Sequence, residues 1–219
     1  NYIMDQITKE RNKQEFIELL RSTKREGIED LIRWLSEKSD FFEAPSSTIY
    51  HCNYPGGLCQ HSLNVYYAAR DFYETYKKLS LPEKNVETIP MESIIITALL
   101  HDLCKANYYK IVEKFKKDES NQWFKYYSYQ IDEKLPLGHA PKSIFIAQTF
   151  IRLSGEELCA IMWHMGMSDI GAWMSNYQKP SMQTSYTKVP LSVLIMQADF
   201  FASYCMEKEV DQTVECRIG

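Results

Sequence analysis

Ile94-Ile95-Ile96-Thr97-Ala98-Leu99-Leu100-His101-Asp102-Leu103-Cys104-Lys105 is the stretch on which the fold turns. Its first seven residues are apolar apart from Thr97 and leave no polar face at helical spacing. A helix that is apolar all round is buried. Pro90 precedes it, so a core helix is predicted from about Met91 to Cys104. That run then meets a histidine and an aspartate. A buried aspartate is costly unless it is paired or bound to a metal. Neighbouring side chains on a helix diverge by about 100°, but at a helix end both can turn toward one ion. Alone, the dipeptide reads equally as a backbone-satisfied histidine followed by an aspartate capping the next turn.

The flanking sequence is mostly helical too. Phe16, Ile17, Leu19 and Leu20 mark a helix over 13–22, and Ile28, Leu31, Ile32, Trp34 and Leu35 mark another over 26–38. These give residues 1–40 the character of an N-terminal helical extension to a main unit over 41–219. Asp40 to Pro55 is irregular, and Gly56-Gly57 opens a helix from about Leu58 to Lys78. Between Tyr108 and Ile131 the period changes. Tyr108 to Phe115 and Trp123 to Ile131 are rich in β-formers, so a hairpin inserted at about 107–131 is predicted. Its lysines read as a solvated face and Tyr126-Tyr127-Ser128-Tyr129 as strand packing. Helices resume over 140–153, with Pro141 near the first position, and over 155–164. Residues 166–188 are mixed, and Pro190 starts a last apolar helix to about Glu207. The fold class is therefore mainly α.

Composition narrows the function. Apolar residues make up 45% of the 219, enough for a full core, and the net charge of −4 argues against a general nucleic-acid binder. The six cysteines form no CxxC pair and read as reduced thiols. Neither a signal peptide nor a long uncharged apolar run is visible, so a cytoplasmic protein without a membrane span is expected. Gly-rich phosphate loops, GxSxG, HExxH and the Rossmann fingerprint are all missing.

The five histidines then carry the argument, together with Asp199. Asp199 interrupts Val193 to Ala202 as Asp102 ends the earlier run. His61 lies one turn into its helix, His139 just before a helix start, and His164 at a helix end. Each alone is an ordinary half-buried or capping residue; together with Asp102 they are an imidazole and carboxylate set that suits borderline divalent ions. His51, in a Pro-flanked loop, suits a substrate contact or a supporting role better than a ligand.

This order of motifs resembles the HD-domain metal-dependent phosphohydrolase superfamily over roughly residues 40–208. Tyr50-His51, Gly56-Gly57-Leu58, His61-Ser62-Leu63 and His101-Asp102-Leu103-Cys104-Lys105 look most like the HD domain of bacterial 3′→5′ exoribonucleases. The resemblance implies an HD-type helical bundle, with His61, His101, Asp102 and Asp199 as the four-ligand set. It implies His139 and His164 as the extra ligands of two-metal members, with Asp102 bridging two divalent cations (Mn, Fe, Ni, Zn or Mg). Lys105 would face substrate phosphate, and Asp102 and Lys105 would carry catalysis. The implied reaction is hydrolysis of a nucleotide-type phosphomonoester or phosphodiester by a metal-activated hydroxide. The alternatives are a 3′→5′ exonuclease on short single-stranded nucleic acid and a non-catalytic nucleotide-binding module. Three departures bear on the substrate. Cys52 stands where the exonuclease relatives carry a second histidine, Met165 follows His164 where they often have another, and residues 1–40 hold no OB-fold.

Overall fold

The computed structural model describes residues 4–169 and 178–208. It is mainly helical with a single two-stranded antiparallel sheet among the described residues. Asp5 caps α1 (Gln6–Ser22) by accepting from the Thr8 N–H at 2.8 Å. α2 (Ile28–Arg33) runs on into a π turn over Trp34–Lys38. Phe16, Leu20, Leu31 and Leu35 are fully buried in one cluster with Leu58, Ile96, Leu99 and Leu194, so the helices of the first forty residues share the main core.

α3 (Gly57–Leu79), α4 (Met91–Leu100) and α8 (Pro190–Phe201) form the centre, with α3 packed on both others. Every residue of α4 from Ser93 to Leu100 is buried, as its uniform apolarity requires. Around them lie α5 (His139–Phe150), α6 (Gly155–Met162) and α7 (Gln178–Lys188). Ser154 and Glu157 make a reciprocal capping box on α6.

Two predicted helices end early, and both ends matter. α4 stops at Leu100; His101 caps it, Asp102 leaves helical geometry at φ −101°, and a 3-10 turn follows over Leu103–Lys105. α8 stops at Phe201 and widens into a π turn over Ala202–Met206, after which Glu207 is extended. Widened turns of this kind re-aim the residues that follow them.

The insertion is a hairpin of β1 (Tyr109–Lys117) and β2 (Trp123–Ile131), in register from Tyr109↔Ile131 to Lys117↔Trp123. Asp118 closes its loop by accepting from the N–H groups of Ser120 and Gln122. The structure departs from strand packing at Phe115, Trp123 and Tyr127, which are exposed. A two-stranded sheet covers neither face by itself.

No single helix among the described residues is long and apolar enough to cross a membrane. The bent pair formed by α7 and the segment from Pro190 to Met206 passes by length and composition alone, and Leu191, Leu194 and Ile195 of that segment are buried in the core. Cys52, Cys59, Cys104, Cys159 and Cys205 are free thiols. Cys216, the middle of the mixed stretch 166–188 and the end of the 41–219 unit lie outside the described residues.

Candidate metal centre

Five elements deliver the polar cluster. Gly56 turns the chain at φ +82°, and a Cβ on Gly57 would sit 2.0 Å from the Cys52 carbonyl oxygen. The glycine pair thus seats α3 directly on the preceding loop and places His61 one turn in, fully buried. The early end of α4 presents His101 and Asp102 together. Asp199 comes from α8, His139 starts α5, and His164 follows α6.

The four residues expected as a ligand set converge. His61 Nε2 lies 3.1 Å from His101 Nε2, 3.4 Å from Asp102 Oδ2 and 3.2 Å from Asp199 Oδ1. His101 Nε2 lies 3.5 Å from Asp102 Oδ2 and 3.8 Å from Asp199 Oδ1. Ligand atoms about 2.0–2.2 Å from one ion stand roughly 3.0–3.6 Å apart at octahedral to tetrahedral angles. The observed spacings fall in or close to that range.

Backbone contacts decide which nitrogens face inward. A carbonyl oxygen only accepts, so His101 Nδ1–H donates to Ala98 O at 2.8 Å and His164 Nδ1–H donates to Ile161 O at 2.6 Å. Each imidazole therefore turns its Nε2 lone pair into the cluster. His164 Nε2 is buried with no hydrogen-bond partner, and so is Asp102 Oδ1, 3.7 Å away. His139 Nε2 comes within 2.7 Å of that oxygen but outside hydrogen-bonding alignment. Unpartnered lone pairs facing one another in a dry interior are unfavourable without a cation. Groups of these histidines and aspartates, and a further one of Asp102, Cys104 and His139, bring their donor atoms within 4.8 Å and could hold metal ions.

The remaining predicted residues sit at the edge. Lys105 Nζ contacts Asp102 Oδ2 at 2.6 Å. His51 reaches the centre by a ring contact with His61, centroids 4.8 Å apart, and through a carboxylate that the sequence reading passed over. Glu207 accepts from His51 Nδ1 at 2.6 Å, from His61 Nδ1 at 3.0 Å and from Asn64 Nδ2 at 3.0 Å. It is buried after the π turn, and Lys208 O accepts from the Cys52 N–H to hold the segment down. In sequence Glu207 belongs to the charged stretch Met206-Glu207-Lys208-Glu209, which reads as solvated, so no local signal marks it. Cys104 stood inside the motif, two positions past Asp102, without being assigned chemistry.

The charges are strongly coupled. Burial is the largest single influence on Asp102 and pushes it up, but Lys105, His101 and His139 together outweigh it and hold the carboxyl well below the usual range. Burial likewise opposes ionisation of Asp199 and Glu207, yet the neighbouring imidazoles hold both low. Burial disfavours a charged His61, but Glu207, Asp102 and Asp199 raise it well above 6.5. His139 rises to about 10 against its burial, through Cys104 and Asp102, whereas burial lowers His164. A cluster this anionic holds positive charge on His61, His139 and Lys105.

The centre opens into a cavity of about 440 Å³. The little-exposed Lys105 and His164 line its floor, the exposed Tyr50, Phe200 and Tyr204 line its mouth, and His51 and Met165 line it between them. The Phe200 and Tyr204 rings meet at 4.7 Å, and both are exposed. Comparison with known proteins yields no match: no family model fits the chain, and no curated protein or solved structure is similar to it.

Proposed function

We propose that this chain is a metal-dependent phosphohydrolase of the HD type, acting on a nucleotide-type phosphoester. The observation that carries the reading is the convergence of the Nε2 atoms of His61, His101 and His164 on Asp102 and Asp199, with two buried atoms left without a hydrogen-bond partner. His61, His101, Asp102 and Asp199 would hold one cation, and Asp102, His139 and His164 a second. Divalent cations so placed supply Lewis acidity and lower the pKa of bound water, which is the chemistry of phosphoester hydrolysis.

The chain's own groups supply the rest. Lys105 is a cation at the cavity floor that can neutralise substrate phosphate. His51 lines the same cavity, held there by the hydrogen bond from its Nδ1–H to Glu207. A cavity of about 440 Å³ suits a small ligand, and the Tyr50, Phe200 and Tyr204 rings offer a base a stacking surface.

The exonuclease alternative has one observation in its favour. The strands of the hairpin carry five lysines against Glu113 alone, and Phe115, Trp123 and Tyr127 are exposed among them. Interleaved aromatics and cations suit single-stranded nucleic acid.

The test is metal content followed by turnover. Purified protein is expected to bind divalent metal and, with manganese added, to hydrolyse a generic aryl phosphodiester. A panel of nucleotides, cyclic dinucleotides and short oligonucleotides then identifies the substrate class. Protein that binds no metal and turns over none of the panel would transfer the case to the non-catalytic module.

A further inference from the structure

We infer that Cys104 is a ligand of the second cation, which makes that position a sulfur, nitrogen and oxygen site for a thiophilic ion such as zinc, iron(II) or cobalt(II). The inference rests on the proposed metal centre and names the ion class for one half of it. Cys104, His139 and Asp102 bring their donor atoms within 4.8 Å of one another. Cys104 Sγ is 3.3 Å from His139 Nδ1 and 3.9 Å from its Nε2. Metal–thiolate bonds of about 2.3 Å and metal–imidazole bonds of about 2.0–2.1 Å put sulfur and nitrogen roughly 3.6 Å apart at a tetrahedral angle. Only one ring nitrogen can bind a given ion, and Nε2, the one that faces Asp102, stands 3.9 Å from the sulfur, close to that value.

The cysteine does not stand alone. Asp102 Oδ1 is buried without a hydrogen-bond partner, 2.7 Å from His139 Nε2. His164 Nε2 is buried, unpartnered and directed at the same oxygen from 3.7 Å. A thiol hydrogen bond to His139 leaves the His164 nitrogen unexplained, whereas an ion among Cys104, His139 and Asp102 would bind the oxygen and draw in His164.

Local structure fixes the geometry. On the 3-10 turn after Asp102, Leu103 enters the core, Cys104 faces His139, and Lys105 returns to Asp102. The Cys104 N–H donates to Ser143 Oγ at 3.0 Å, and Ser143 lies on α5, the helix that His139 begins. One hydrogen bond therefore ties together the two elements that carry these donors.

The two halves then differ in kind. Nitrogen and oxygen donors from His61, His101, Asp102 and Asp199 suit manganese or iron; adding a thiolate favours softer ions and disfavours magnesium. On binding, the Cys104 S–H bond breaks, a metal–sulfur bond forms, and one proton leaves to solvent.

The test titrates metal-free protein with cobalt(II). The second equivalent is expected to raise a sulfur-to-cobalt charge-transfer band in the near ultraviolet. Cys104→Ser should abolish that band and weaken the second equivalent ten- to a hundred-fold while the first is unchanged. Zinc-edge X-ray absorption on the unmodified protein should resolve one zinc–sulfur distance, and it needs no variant to fold. Two cobalt ions bound without the band, or a band that survives Cys104→Ser, would overturn the inference and leave the metal centre standing. A chain that binds no cobalt would overturn both.

Discussion

Two clusters of charge buried among the described residues, one around Glu157 and one around Asp102, are built oppositely. Around Glu157 every acceptor site is used. Its carboxylate takes two hydrogen bonds from Arg25, at 2.6 and 2.9 Å, one from Ser93 at 2.7 Å and one from the Ser154 N–H at 2.8 Å. Four bonds fill an ionised carboxylate. Arg25 also reaches Glu92 and the Arg152 carbonyl. Around Asp102 the cations are as close, yet one carboxylate oxygen and the His164 Nε2 have no hydrogen-bond partner. The first cluster straps the loop before α2 to α4 and α6; the second has unmet valence. Burial of charge therefore does not by itself mark a site; what sets Asp102 apart from Glu157 is a buried carboxylate and imidazole with acceptors left over.

Mutation should separate the two. Asp102→Ala is expected to reduce phosphoester turnover to background, because it would remove a ligand from both of the proposed ions. Steady-state assays with manganese on an identified substrate would decide it, and near-normal turnover would remove this site from catalysis. Glu157→Ala should instead unfold the protein more easily, by about 1–3 kcal/mol, because Ser93, the Ser154 N–H and Arg25 lose their buried acceptor and Arg25 keeps only Glu92 and the Arg152 carbonyl. Chemical denaturation reads that loss, and metal affinity of the folded fraction should not move. If Glu157→Ala altered metal affinity as strongly as stability, the contrast between the clusters would fail.

Smaller effects sharpen it. Glu207→Gln should weaken metal binding ten- to a hundred-fold, the range for losing the partner that orients a metal-bound histidine. Calorimetric titration checks this, with the thermal midpoint of the metal-free protein reporting any loss of fold. Lys105→Ala should slow turnover ten- to a hundred-fold, since hydrogen bonds to charged groups are worth about 1.5–3 kcal/mol. It should leave metal stoichiometry unchanged, which distinguishes it from Asp102→Ala.

The mildest test is pH. Asp102, Asp199 and Glu207 have folded values below their ordinary 3.8 and 4.5, so their stabilisation is present above those values and is lost as pH falls through the folded ones. His61 and His139 are raised above 6.5, so theirs is complete below 6.5 and is lost as pH rises, through about 10 for His139. Both sets act together between 4.5 and 6.5. Chelated protein should therefore melt highest there. Metal affinity should climb above it, because the imidazole protons must leave before an ion can bind. A melting midpoint of chelated protein that rises from weakly acidic to alkaline pH would contradict this assignment.

Much of this architecture is legible along the chain. The uniform apolarity of Ile94 to Leu100 determined a buried helix, the change of period at Tyr108 determined a hairpin, and the histidines and aspartates determined which ion chemistry was available. These are local properties, set by spacing within a few turns. Tertiary packing decided the rest. His61 and Glu207 are 146 positions apart, and only the docking of the segment after α8 against α3 makes them partners. The 3-10 turn after Asp102 aims Cys104 at His139, and packing leaves Asp102 Oδ1 and His164 Nε2 without partners. Periodicity reports which face of an element is apolar; it carries no information about which distant side chain meets that face.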